Sequence, residues 1–147
     1  MLENDKDFKA ELNKLDKATA QKVAVAFVEN VLPLADDERI GKVLNGVKNF
    51  DLDPEELISI ARVAKKIRLE NHARCGADAD WKEQTTYHVS KAAFYAISLN
   101  KENAGTNVYQ AAVSSRMARV SNSIVNPEDT VNETREQYRI LEQYLSS

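Results

Sequence analysis

The chain has 147 residues, a net charge of -3 and a single cysteine, Cys75, so no internal disulfide framework exists and a reducing compartment such as the cytoplasm suits it. The mixed-sign, mildly acidic balance argues against a dedicated nucleic-acid binder, which carries a dense basic stripe. The longest apolar run, "VAVAFV" at 23–28, falls far short of the roughly 18 residues of a membrane-spanning helix. Four glycines and three prolines leave few sites for hairpin turns. The reading is all-α: one helical domain over 1–147, a bundle of about six helices that can be drawn as two stacked helical hairpins plus a C-terminal lid helix.

Residues 1–15 form an acidic lead with neither the basic start nor the apolar run of a signal peptide, and Phe8 and Leu12 predict a short turn of helix there. "DKATAQKVAVAFVENVL" predicts a helix capped by Asp16 and stopped before Pro33, apolar almost all round and therefore central. "DDERIGKVLNGVKNF" predicts a helix from Asp36 or Asp37 that puts Ile40, Val43, Leu44 and Val47 on one face, with Gly41 and Gly46 weakening its regularity. Next, Asp53 as cap, Pro54 at the first helical position, Glu56 completing a capping box and Gly76 as terminator bound a helix of about six turns. The following helix, from about Ala79 to Leu99, carries Trp81, Thr85, His88, Ala92, Tyr95, Ala96 and Leu99 on one stripe, with Phe94 and Ile97 on a second. In "NAGTNVYQAAVSSRMARVSN" the small residues Ala104, Ala111, Ala112, Ser115 and Ala118 allow close helix approach. The last helix, after Asn126-Pro127, presents Val131, Tyr138, Leu141 and Leu145 on one face. A faint echo relates "AVAFVENVLPLADDERIGKVLNGV" to "KAAFYAISLNKENAGTNVYQAAV", too few units for a repeat array.

No Gly-rich phosphate loop, GxSxG elbow, HExxH pair or CxxC motif occurs, so the sequence offers no catalytic residues, metal site or cofactor. The carboxylate pairs Asp36-Asp37 and Glu55-Glu56 stand at helix starts, where anions favour the dipole. One alternative remains at the end of the fourth predicted helix, where the inner stripe turns polar. Arg68, His72 and Cys75, with His88 from the neighbouring helix and help from Asp78 or Asp80, would line a pocket for a small ligand or metal. The bland reading is a helix end: a buried thiol, His72 and Arg74 opposite the dipole, and Gly76 as cap. Arg68, Arg116 and Arg119 lie on or beside apolar faces and need carboxylates, with Glu29, Asp37 and Glu142 as candidate partners.

The segment "FVENVLPLADDERIGKVLNGVKNF" resembles the opening of small helical immunity proteins of bacterial polymorphic toxin systems: a helix ends in Val31, Leu32, Pro33 and Leu34, passes the acidic link Asp36-Asp37 and re-enters a helix carrying Arg39. "SKAAFYAISL" is similar to that family's alanine-rich middle helix and "ETREQYRILEQYL" to its polar C-terminal helix. The resemblance implies a non-catalytic protein-binding module that neutralises a cognate toxin by direct contact. Toxin nucleases tend to be basic, so Glu3 to Asp7, Asp36, Asp37 and Glu38, and Glu128 to Glu133 would steer association. A third reading, a homo-oligomeric structural protein, predicts an exposed apolar strip on the last helix or the lead.

Overall fold

The computed structural model describes residues 1–48, 52–76, 80–100 and 102–146. Seven α-helices and no strand occur among them: α1 (Asp5–Asn13), α2 (Lys17–Val31), α3 (Glu38–Val47), α4 (Pro54–Cys75), α5 (Trp81–Ile97), α6 (Ala104–Val125) and α7 (Glu133–Leu145), with a 3₁₀ turn at Leu32–Leu34. The acidic lead carries a nine-residue helix around Phe8 and Leu12. Asn4 caps it by accepting from the Asp7 N–H, and Phe8 and Leu12 are buried. Phe50 and Ala79, at predicted helix ends, lie outside the described residues. No helix among the described residues is long and apolar enough to cross a membrane.

Local signals set most boundaries. Asp16, Asp37, Asp53, Asp80 and Asn132 each accept a backbone N–H from the first turn of the helix that follows, satisfying donors that a helix start leaves free. Pro33 sits inside the 3₁₀ turn that ends α2 and redirects the chain. One hydrophobic core draws on all seven helices. α2 lies at its centre, packed on α5, α6 and α7, with Ala20, Val23, Ala24, Phe27, Val28 and Val31 fully buried. α5 and α6 form a long hairpin, and the small residues Ala111, Ala112, Ser115 and Ala118 are all at 0 % exposure, as close approach requires.

The echo between the two halves does not extend to packing. α3 seats Ile40, Val43, Leu44 and Val47 as its sequence dictates, but chiefly against α4 and α5 rather than back on α2. Gly41 and Gly46 both fit a regular helix; a methyl group at Gly46 would come within 3.3 Å of Ile60 on α4, so that glycine marks a close contact. Two predicted faces are corrected. Trp81 is 43 % exposed at the first turn of α5, and Val131 and Leu145 are 44 % and 43 % exposed, while Glu133, Gln137, Ile140 and Leu141 form the buried face of α7. Polar side chains take buried positions on α7 because each finds a partner inside: Gln137 donates to the Ala112 carbonyl and accepts from Arg116.

Candidate functional site

The acidic turn between α2 and α3 is held from both sides. Asp37 caps α3, accepting from the Arg39 N–H at 3.1 Å, from Arg39 Nε at 3.0 Å and Nη2 at 2.8 Å, and from Asn71 Nδ2 of α4 at 3.0 Å. The Arg39 hydrogen bonds, against burial and with help from Asn71, hold the Asp37 carboxyl down at about 2. Arg39 also donates to Glu70 of α4, and the two carboxylates together raise the guanidinium pKa. On the other side, the Asp36 N–H donates to Thr86 Oγ1 of α5 at 2.9 Å. Asp37 is therefore spent internally, its side chain 6 % exposed, whereas Asp36 and Glu38 project into solvent. The turn is a fixed mount for two free carboxylates.

At the polar end of α4 the four pocket candidates do not line one cavity, although two of them share a neighbour. The Arg68 guanidinium lies over the rings of Phe94 and Tyr95, 5.0 and 5.4 Å from their centroids. His72 rests against Tyr87 at 5.2 Å, and Tyr87 stands beside His88 at 5.3 Å, so a phenol ring adjoins both imidazoles. Cys75 Sγ donates to the His72 carbonyl at 3.4 Å, and partial burial pushes the thiol pKa up. Burial, then the charge of Lys91, lowers the His88 pKa. A cleft of about 180 Å³ does open beside this end of α4, but Asp36, Asn71, Arg74, Asp80 and Thr86 are among the residues that line it and none of the four candidates is. Among the described residues no group of three or more His, Cys, Asp or Glu is placed to hold a metal ion. Asp78 lies outside the described residues.

Glu29, Asp37 and Glu142, the carboxylates expected for the buried arginines, are engaged elsewhere: Glu29 with Lys48, Asp37 with Arg39, and Glu142 with the Leu2 N–H. The true partners come from segments that read as surface. Asp5 accepts from Arg116 Nη1 at 2.7 Å and Nη2 at 3.0 Å, from the Tyr138 hydroxyl at 2.7 Å and from the Tyr109 hydroxyl at 3.1 Å, above the Phe8 ring that packs on Tyr138. The Arg116 contact, opposed by burial and reinforced by Tyr138, holds the Asp5 carboxyl down at about 2; burial and then Asp5 push Tyr138 up to about 12. Arg119 donates to Glu133 at 3.0 Å and Asp129 at 2.9 Å, and Asn30 of α2 donates to Glu133 at 2.7 Å. Burial opposes the Arg119 charge, but the two carboxylates outweigh it and raise its pKa. A signal for Asp5 was present: it stands three and seven residues before Phe8 and Leu12, on their buried stripe.

These clusters divide the acidic residues into two sets. Asp5, Asp37, Asp129 and Glu133 are paired with Arg116, Arg39 and Arg119, while Glu3, Asp7, Asp36, Glu38 and Glu128 remain exposed. No family model, curated protein or solved structure matches this chain.

Proposed function

We propose that the protein is a non-catalytic binding module of the immunity type, neutralising a cognate, basic toxin domain by direct contact in a bacterial cytoplasm. One observation carries the reading: Asp36 and Glu38 flank an Asp37 that is locked to Arg39 and Asn71, so their carboxylates are presented from a turn that loses little freedom on binding. Exposed Glu3, Asp7 and Glu128 add to a field that would speed encounter with a cationic partner. Such an encounter weakens with salt. Neither a cofactor nor a reacting side chain is needed for this role.

Native mass spectrometry of the protein purified gently from its own source tests the reading. A stoichiometric basic polypeptide on the wild type, lost from Asp36→Lys/Glu38→Lys and retained by Ser59→Lys, is the expected result. A partner that stays equally bound to the charge-reversed variant refutes the acidic turn as its contact. Chelator-sensitive added mass would point instead to a metal-dependent role.

A further inference from the structure

We infer that the outer face of α4 docks an acidic amphipathic helix of another protein, with apolar side chains of that helix on Ile58 and Leu69 and its carboxylates on Arg62 and Lys65. α4 is 22 residues long, yet only Ala64, Ile67 and Asn71 are buried, because its main neighbours, α3 and α5, cover one side. Ile58, Arg62, Lys65 and Leu69 follow one another at intervals of four, three and four residues. At about 100° per residue this gathers them on one stripe about 60° wide. Ile58, Val63 and Leu69 are 52 %, 49 % and 57 % exposed and stand outside the hydrophobic core. Arg62 and Lys65 are exposed too, and among the described residues neither takes part in an ion pair or a side-chain hydrogen bond. Lys66, beside the stripe, is also exposed, and the carboxylate one turn on, Glu70, is already held by Arg39.

The order of charges selects the occupant. Read in either direction, the stripe runs apolar, basic, basic, apolar with the same spacing. A second copy of α4 laid antiparallel would set Ile58 on Leu69 but Arg62 against Lys65, and a parallel copy would set each cation on its own counterpart. Like charges meet either way, so the stripe rejects itself. Its complement is a helix with apolar residues at both ends of an eleven-residue interval and carboxylates at the two inner positions. The interval spans about 16 Å, or about three helical turns. The long stems of Arg62 and Lys65 let their charged ends reach those carboxylates while the methylenes cover the apolar contact. A continuous polyanion fits less well. Asp53, Glu55 and Glu56 are exposed at the start of α4, with Glu55 three residues before Ile58 on the same side. A lipid surface or a nucleic acid would press its negative charge on them as well, whereas a helix places carboxylates only where the cations are. None of these residues belongs to the acidic turn, so the inference does not depend on toxin binding.

Fluorescence anisotropy of a labelled, alanine-rich synthetic helix, titrated with the full chain, tests it. The peptide carries two leucines eleven residues apart and, between them, two glutamates at the spacing of Arg62 and Lys65. The wild type should bind it in the micromolar range, at least about tenfold more tightly than the same peptide with lysines for the glutamates. Raising salt from about 0.05 M to about 0.5 M should weaken the complex at least about tenfold. Arg62→Glu/Lys65→Glu should reverse the preference, taking the lysine peptide and losing the glutamate one, and Leu69→Ser should weaken binding severalfold. The melting temperatures of both variants should stay as in the wild type, since these side chains are exposed. A wild type that binds neither peptide or both alike, or a charge-reversed variant that keeps the glutamate peptide, overturns the inference. Phosphatidylglycerol vesicles or a single-stranded RNA bound more tightly than the glutamate peptide at the same salt would overturn it too, and would give the face to a lipid surface or to nucleic acid.

Discussion

Replacing Arg119 with methionine removes the cation shared by Glu133 and Asp129 while keeping much of the side-chain length. The pair is well shielded, with side-chain exposures of 14 % for Arg119, 3 % for Glu133 and 11 % for Asp129. Removing one partner of a buried ion pair costs about 3–5 kcal/mol, because the other charge is left uncompensated. Two amides soften the loss here: Asn30 still donates to Glu133 and Asn122 to Asp129, so the lower end of that range, about 3 kcal/mol, is expected. At roughly 2–4 °C per kcal/mol for a chain of this size, the melting temperature should fall by about 6–12 °C. Calorimetry and urea unfolding measure the loss. Adding Glu133→Gln removes the stranded charge and should return about 1–2 kcal/mol, giving a coupling well outside additivity. The single variant's deficit should also shrink as the pH falls, because Asp129, without the guanidinium that holds its pKa down, is left with the burial that raises it. A loss below about 1 kcal/mol, or strictly additive variants, would mean that water already screens the cluster and would refute the reasoning.

Two further outcomes follow from other positions. Asp5 is held at about 2 against an ordinary value of 3.8, so its stabilisation is complete above about pH 4 and disappears as the pH falls toward 2. Because its side chain is 37 % exposed, solvent screening reduces the contribution to about 1 kcal/mol; thermal melts of Asp5→Asn should lose that much at pH 7 and converge with the wild type near pH 2. Gly41 lies inside α3, and a methyl group there would meet Leu32 at an ordinary 3.7 Å, so Gly41→Ala should raise stability by about 0.5–1 kcal/mol in urea titrations, whereas a drop would reveal a clash.

The legible parts of the chain were those governed by neighbours in sequence. Asp53, Pro54 and Gly76 bounded α4 correctly because capping is settled within one turn, and the four apolar residues of α3 found their face because 3.6-residue periodicity is local. Long-range polar pairing was not legible. Glu133 and Gln137 looked like solvent-facing positions until Arg119, Arg116 and the Ala112 carbonyl came within reach from α6. Asp5 read as surface charge for the same reason. The helical wheel put Arg68, His72 and Cys75 on one face of α4, but only the structure shows that Tyr87, Phe94 and Tyr95 of α5 claim the first two separately. At the acidic turn, the wheel could not tell that Asp37 would be consumed while Asp36 and Glu38 stay free.

The clasp around Asp5 bears on the order in which the polypeptide matures during synthesis. The polar groups that fix α1 are Tyr109, Arg116 and Tyr138, with Glu142 holding Leu2, all more than a hundred residues later in the chain. A nascent α1 leaving the ribosome has none of these anchors, and at nine residues it is too short to persist alone. α1 thus gains its polar anchors only once α6 and α7 exist, and a truncation before α7 would strip it of Tyr138 and Glu142 together.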